Sequence, residues 1–176
     1  MKTTTEMIAR EGWKPLAIGI IILLISWLFS WEFLGWLSFF FIVGVLYCYY
    51  NPERIPEDVA DNLILSPIDG RIENIEKTDN EIFLEINKPM YFCGLLRMPF
   101  EGSVKEKEKI HGVLNASPIV GERILLEFFH THLGIKMQML IYPKIYSYNL
   151  HLYFGESKFK VIQRIGFFLN GKARIS

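Results

Sequence analysis

One stretch constrains this chain more than any other: from Pro15 to Tyr50, 36 consecutive residues carry a single charged side chain, Glu32. Wound as one helix at ~1.5 Å per residue the run reaches roughly 54 Å, well beyond a hydrocarbon core of about 30 Å. A carboxylate at mid-bilayer costs about 2.5 kcal/mol or more, so the chain is expected to surface at Glu32. Two short apolar helices follow, about Pro15–Trp31 and Phe33–Tyr50, folded back on each other as a membrane hairpin. Trp27, Trp31, Trp36, Tyr47, Tyr49 and Tyr50 gather toward the ends of these spans, where amphipathic rings prefer the headgroup region. Arg10 and Lys14 precede the first span and Arg54 follows the second. By the positive-inside rule both ends face the cytoplasm, so the expected location is the cytoplasmic face of the cell membrane. A cleaved signal peptide fits poorly, because the run is too long, rich in aromatics and without a small-residue cleavage site.

The remainder reads as a separate domain, giving an anchor over residues 1–50 and a second unit over 51–176. With 19 basic against 19 acidic residues and 51% hydrophobic composition, the chain is neither disordered nor built to wrap nucleic acid. Cys48 lies inside the apolar run and Cys93 far from it, so no disulfide framework is expected. Asn51-Pro52-Glu53-Arg54-Ile55-Pro56 forms a hinge whose prolines stop the second helix. Beyond it, short alternating runs recur at roughly 8–12 residue spacing: Arg71–Ile75, Ile82–Ile86, Gly94–Met98, Gly112–Leu114, Arg123–Phe129, Ile135–Ile141, Ile145–Tyr153, Phe159–Ile162 and Gly166–Leu169. They predict a mainly β domain, a compact sandwich or barrel. Lys105-Glu106-Lys107-Glu108-Lys109 reads as a solvated turn or strand edge. Charge is unevenly placed: residues 51–135 hold 9 basic and 15 acidic side chains, and residues 136–176 hold 7 and 1, a net −6 against a net +6. A basic C-terminal lobe beside a membrane anchor attracts anionic headgroups at ~1 kcal/mol per cation near the surface.

Few residues suggest chemistry unaided. Asp69 sits in a Pro-x-Asp-Gly turn, which turn geometry alone explains. His130 and His132 are spaced to share one strand face, a geometry able to hold a metal, but no third ligand is near in sequence and no metal is expected. Cys93 reads as a core thiol.

Motifs in order carry more. Ile8-Ala9-Arg10-Glu11-Gly12-Trp13-Lys14-Pro15 precedes the apolar run, and Asn51-Pro52-Glu53-Arg54 with Pro56 follows it. Ser66-Pro67-Ile68-Asp69-Gly70-Arg71-Ile72, the spacing of Arg97, Pro99, Gly102 and Val104, Gly121-Glu122-Arg123, and Val161 to Gly171 complete the series. In this series the chain resembles the short, membrane-anchored bacterial phosphatidylserine decarboxylases. The resemblance implies a β-rich cytoplasmic domain on an N-terminal anchor and conversion of phosphatidylserine to phosphatidylethanolamine. It also implies a pyruvoyl group made by self-cleavage at a Gly-Ser bond, assisted by aspartate and histidine. The serine must attack and then be eliminated, and the resulting ketone takes up the substrate amine and accepts electrons as carbon dioxide leaves.

Carried over residue by residue, the resemblance places the assisting aspartate at Asp69, the histidine at Gly94, a frequent second aspartate at Phe92, and the Gly-Ser bond at Gly171-Lys172. Lysine has no β-oxygen, so no pyruvoyl cofactor is expected. Gly102-Ser103, the one Gly-Ser pair in the sequence, reads as a central turn remote from the cleavage position. The expectation is a degenerate, unprocessed member that binds membrane phospholipid or a partner, either a second copy or an active decarboxylase. The alternative is a divergent enzyme that still decarboxylates phosphatidylserine.

Overall fold

The computed structural model describes residues 7–52, 63–78, 81–110, 122–144, 151–153 and 158–176. Arg54 and Pro56 of the hinge, the expected strand Gly112–Leu114, His111, Gly121 and most of Ile145–Tyr153 lie outside them. The chain divides into two compact units, Met1–Glu53 and Arg54–Ser176.

In the first unit a 3₁₀ turn at Arg10–Gly12 leads into α1 (Trp13–Leu28), and α2 runs over Glu32–Cys48. Pro15 is tolerated because the amides of a first helical turn have no partner within the helix. The break falls at Phe29 to Trp31, with Ser30 at φ +55, one step before the expected position. Glu32 therefore opens α2, where its carboxylate complements the positive end of the helix. Gly19 lets the helices approach: a methyl group there would stand 2.8 Å from Ile42 Cγ1. Ser38 Oγ donates to Gly19 O at 2.6 Å across the pair, so this buried hydroxyl has a partner away from water. The open end is closed by main-chain bonds, Ala9 N to Tyr49 O and Asn51 N to Met7 O, both 2.9 Å. Apolar side chains such as Ile21, Leu24, Phe33 and Phe40 point outward all round. Arg10–Leu28, at 19 residues, is long and apolar enough to cross a membrane by length and composition, and α2 is a shorter apolar helix.

The second unit is mainly β: β1 (Arg71–Lys77), β2 (Ile82–Lys88), β3 (Leu95–Arg97), β4 (Gly102–Ile110), β5 (Arg123–His130), β6 (Lys136–Pro143), β7 (His151–Leu152), β8 (Arg164–Phe167) and β9 (Gly171–Ile175). Six strands form an antiparallel sheet in the order β1-β2-β9-β6-β5-β4, and three form a second sheet, β3-β8-β7. Alternation sets the inner face. Met137, Met139 and Ile141 of β6 point inward, beside Ile124, Leu126 and Phe128 of β5. Leu96, Met98, Ile165 and Phe168, from the smaller sheet and its flanks, complete one shared core. Each such side chain stabilises the fold by about 1.5–3 kcal/mol on burial.

Several sequence expectations are corrected. Among the described residues no barrel closes, since β1 and β4 remain as edges. Of the two expectations for Lys105–Lys109 the strand edge holds: these residues are the outer half of the edge strand β4. Phe159–Ile162 is no strand: Phe159 makes an isolated bridge to Gly102, and Ile162 sits at φ +66 in a turn. Gly171–Ile175, unassigned from sequence, is the strand between β2 and β6.

Candidate functional site

Asp69, Gly94, Gly171 and Lys172 belong to different stretches of chain, and strand register brings their segments together. Arg71 lies opposite Asn87, Asn87 opposite Lys172, and Lys172 opposite Tyr142, a row across four strands. Asp69 is half-buried two residues before Arg71. Its turn is pinned by Ser66 Oγ donating to Ile68 O at 2.7 Å and by Arg97 N donating to Pro67 O at 2.9 Å. Gly70 must be small, because a methyl group there would stand 2.5 Å from Ile86 Cγ2 and 2.8 Å from Asn87 O.

Gly171 occupies the adjacent row, between Lys88 and Pro143. Its φ of +153 lies outside the range L side chains adopt readily, and a methyl group would overlap Tyr142 O and stand 2.7 Å from Phe168 Cζ. Lys172 points to the solvent face, half-exposed, with Nζ 2.5 Å from Glu73 Oε2. That hydrogen bond, with the lysine's charge, holds the Glu73 carboxyl below the usual carboxylate range.

Gly94 accepts a hydrogen bond at its carbonyl from Phe168 N, 2.6 Å. The Phe167 ring fills the space a side chain would need: a methyl group at Gly94 would lie 2.6 Å from Phe167 Cζ. An imidazole at this position requires the ring to leave. Phe92 is half-buried in the turn between β2 and β3, and Cys93 lies in the same connection rather than in a strand.

Lys88 was missed. Its side chain is fully buried, and Nζ donates to Phe92 O at 3.1 Å and Leu169 O at 2.9 Å. The ammonium thus ties the connection carrying Phe92 and Gly94 to the one leading into Gly171. A signal was present: Ile82, Leu84, Ile86 and Lys88 fall on one face at period two, so the alternation itself turns Lys88 inward. A buried ammonium is costly unless hydrogen-bonded, and these carbonyls supply that.

The histidine pair does not share a strand face. His130 ends β5 and its Nδ1 accepts from the main-chain amides of His132 and Leu133, both 3.1 Å, so the ring serves the turn. No group of three His, Cys, Asp or Glu side chains able to hold a metal occurs among the described residues. Gly102-Ser103 belongs to β4, separated from β9 by β6 and β5. Gly102 abuts the main chain of Phe129, so it is a strand contact rather than a turn.

A pyruvoyl group does not fit these residues. Its formation requires a side chain with a β-oxygen or β-sulfur after Gly171, and Lys172 has neither.

No family model matches the chain, and no solved structure matches it. Curated proteins do. The phosphatidylserine decarboxylase proenzyme of Polynucleobacter asymbioticus is 42% identical over 77 residues, 42% of this chain and 34% of that protein. That of Paraburkholderia xenovorans is 30% identical over 118 residues, and that of Burkholderia ambifaria 34% over 123, each covering 63% of this chain and 55% of the relative. The chain therefore spans about half or less of the length of these relatives. By that kinship, and by motifs that run from the head of the hairpin to Gly171, the chain is similar to the phosphatidylserine decarboxylase proenzymes over the stretches matched.

Proposed function

We propose that this is a membrane-attached, phosphatidylserine decarboxylase-like protein of phospholipid metabolism that stays undivided at Gly171-Lys172 and binds phospholipid at the cytoplasmic face of the cell membrane. The observation that carries the reading is Lys172. Self-cleavage begins with attack of a side-chain oxygen on the preceding carbonyl and ends with β-elimination, and a lysine side chain supports neither step. The surroundings favour the same reading. Lys172 is paired in register on both sides, ion-paired to Glu73, and next to a glycine that a larger residue cannot replace without displacing Tyr142 O. Phe167 fills the space at Gly94, and no pyruvoyl cofactor enters the proposal.

Membrane attachment is supported by the outward apolar faces of α1 and α2 and by the paired main chain at the open end of the hairpin. For headgroup binding the proposal draws on the basic C-terminal lobe. Among the described residues Lys136, Lys172 and Arg174 are ion-paired to Glu127, Glu73 and Glu76, and Lys144, Lys158, Lys160 and Arg164 are the side chains proposed to meet anionic headgroups.

The relatives are named proenzymes, which favours a second reading: a divergent decarboxylase that releases carbon dioxide from phosphatidylserine. Full-length protein in native membranes, assayed with carboxyl-labelled phosphatidylserine, separates the two. The proposal expects no release above background from folded protein, and release that depends on Asp69 establishes the second reading instead. Lipids co-purifying with the full chain test the binding role. Enrichment of anionic lipid, lost on neutralising Lys144, Lys158, Lys160 and Arg164 together, is expected.

A further inference from the structure

The two edges of the six-stranded sheet differ in kind. Along β4 the outer half is Lys105-Glu106-Lys107-Glu108-Lys109, the alternating charge that keeps a strand edge from pairing with another chain. Every residue of β1 is exposed, and yet the strand carries Ile72 and Ile75, each 58% exposed, with Ile82 of β2 beside them at 53%.

Register assigns the faces of β1. Ile72 lies opposite Ile86 and Ile75 opposite Leu84, so both isoleucines stand on the core side of the sheet, beyond the end of the core. Arg71 lies opposite Asn87, in the row of the outward-pointing Lys172, and Glu73 and Glu76 meet Lys172 and Arg174. These three are on the solvent side. A bulge between Ile72 and Asn74 leaves Glu73 and Asn74 consecutive on that side.

This bulge makes the strand self-complementary. If β1 meets a second β1 antiparallel about a two-fold axis between Glu73 and Asn74, Arg71 faces the second copy's Glu76, Ile72 its Ile75, and Glu73 its Asn74. Every pair then joins residues of the same face. Shifting the register by one residue either way sets solvent-side residues against core-side ones. The pairing places each isoleucine against another and gives two opposite-charge pairs, and cross-strand pairs of both kinds stabilise a sheet.

We propose that β1 is an interface between two copies of this chain, joined edge to edge in the register Arg71–Glu76, Ile72–Ile75. Its two-fold symmetry closes the assembly, whereas joining β1 to β4 of another copy propagates without end. The exposed isoleucines are the contact that pairing buries, and the charged β4 edge terminates each side.

Cross-linking of the full chain in membranes tests the register, with Cys48 and Cys93 replaced by Ser. Differently tagged Ile72→Cys and Ile75→Cys chains are co-expressed and oxidised. Directly opposed positions lie about 5 Å apart, and a residue three places away roughly 10 Å, so mixed chains are expected to form about tenfold more disulfide dimer than either variant alone. Equal yields in all three preparations, or none in any, overturn the proposal. Charge reversal supplies a second arm. Arg71→Glu and Glu76→Arg each lower the dimer fraction by sedimentation in detergent, and the double variant restores it. Failure of the double variant to restore it, with far-ultraviolet circular dichroism unchanged, overturns the pairing.

Discussion

Replacing Gly171 by alanine probes the point where the fold and the proposed loss of processing meet. An alanine at φ +153 occupies a region essentially reserved for glycine, at a cost of about 1–3 kcal/mol. Its methyl group also overlaps Tyr142 O and crowds Phe168, both held in the core region, so β9 must separate from β6 near Pro143. Loss of about two ladder hydrogen bonds there adds ~1 kcal/mol each. The sum is about 3–5 kcal/mol, which for a unit of this size lowers the melting temperature by roughly 10–20 °C. Gly134→Ala is the matched control: Gly134 also has positive φ, +65, but nothing lies within 4 Å of a methyl group there, so only about 1–2 kcal/mol of backbone cost applies. The assay must follow the β unit. All four tryptophans, Trp13, Trp27, Trp31 and Trp36, lie in the hairpin unit, so their fluorescence does not report on it. Far-ultraviolet circular dichroism near the β-sheet minimum, recorded on the full chain in detergent, is suited to it. Equal melting temperatures for the Gly171 and Gly134 variants refute the claim that close approach to Tyr142 and Phe168 demands glycine.

The Glu73 carboxyl, depressed by Lys172, keeps this pairing above the usual carboxylate pKa and loses it as pH falls through the depressed value; carbon-13 titration of Lys172→Met is expected to move Glu73 back up. Gly94→Ala destabilises the β unit through its clash with Phe167, and adding Phe167→Leu recovers part of the loss; an additive double variant contradicts the contact. Lys88→Met leaves Phe92 O and Leu169 O without their bonds from Nζ and is expected to cost about 1–3 kcal/mol by denaturant unfolding, with local amide exchange rising around both carbonyls. Ser38→Ala removes the hydrogen bond to Gly19 and weakens the hairpin by about 0.6 kcal/mol, measured as helix–helix separation by paired spin labels.

Much of the architecture was legible before any coordinates, and the exceptions have physical causes. The helical hairpin follows from one uninterrupted apolar run and one carboxylate, although its break precedes Glu32 because that side chain is better placed as the first residue of a helix than between two. β5 and β6 show as alternation because their inward residues are large. β9 escaped notice because its inward residues include Gly171 and Ala173, small where Phe168 and Tyr142 approach, so alternation carried little hydrophobic contrast. The outer half of β4 has no core to face and so shows only charge. Lys88 was legible in the period-two pattern of β2, but the run read from sequence ends at Ile86, and lysine is almost never fully buried unless its donors are satisfied. The contact between Gly94 and Phe167 links residues 73 positions apart, and no local pattern reveals it.

The intact mass of the full-length protein, purified from native membranes and resolved on a denaturing gel, tests the claim about Lys172 most directly. A single undivided chain, with no carbonyl reactive toward hydroxylamine, is the predicted result. Two fragments meeting between Gly171 and Lys172, the second bearing a blocked, carbonyl-reactive N-terminus, contradict it.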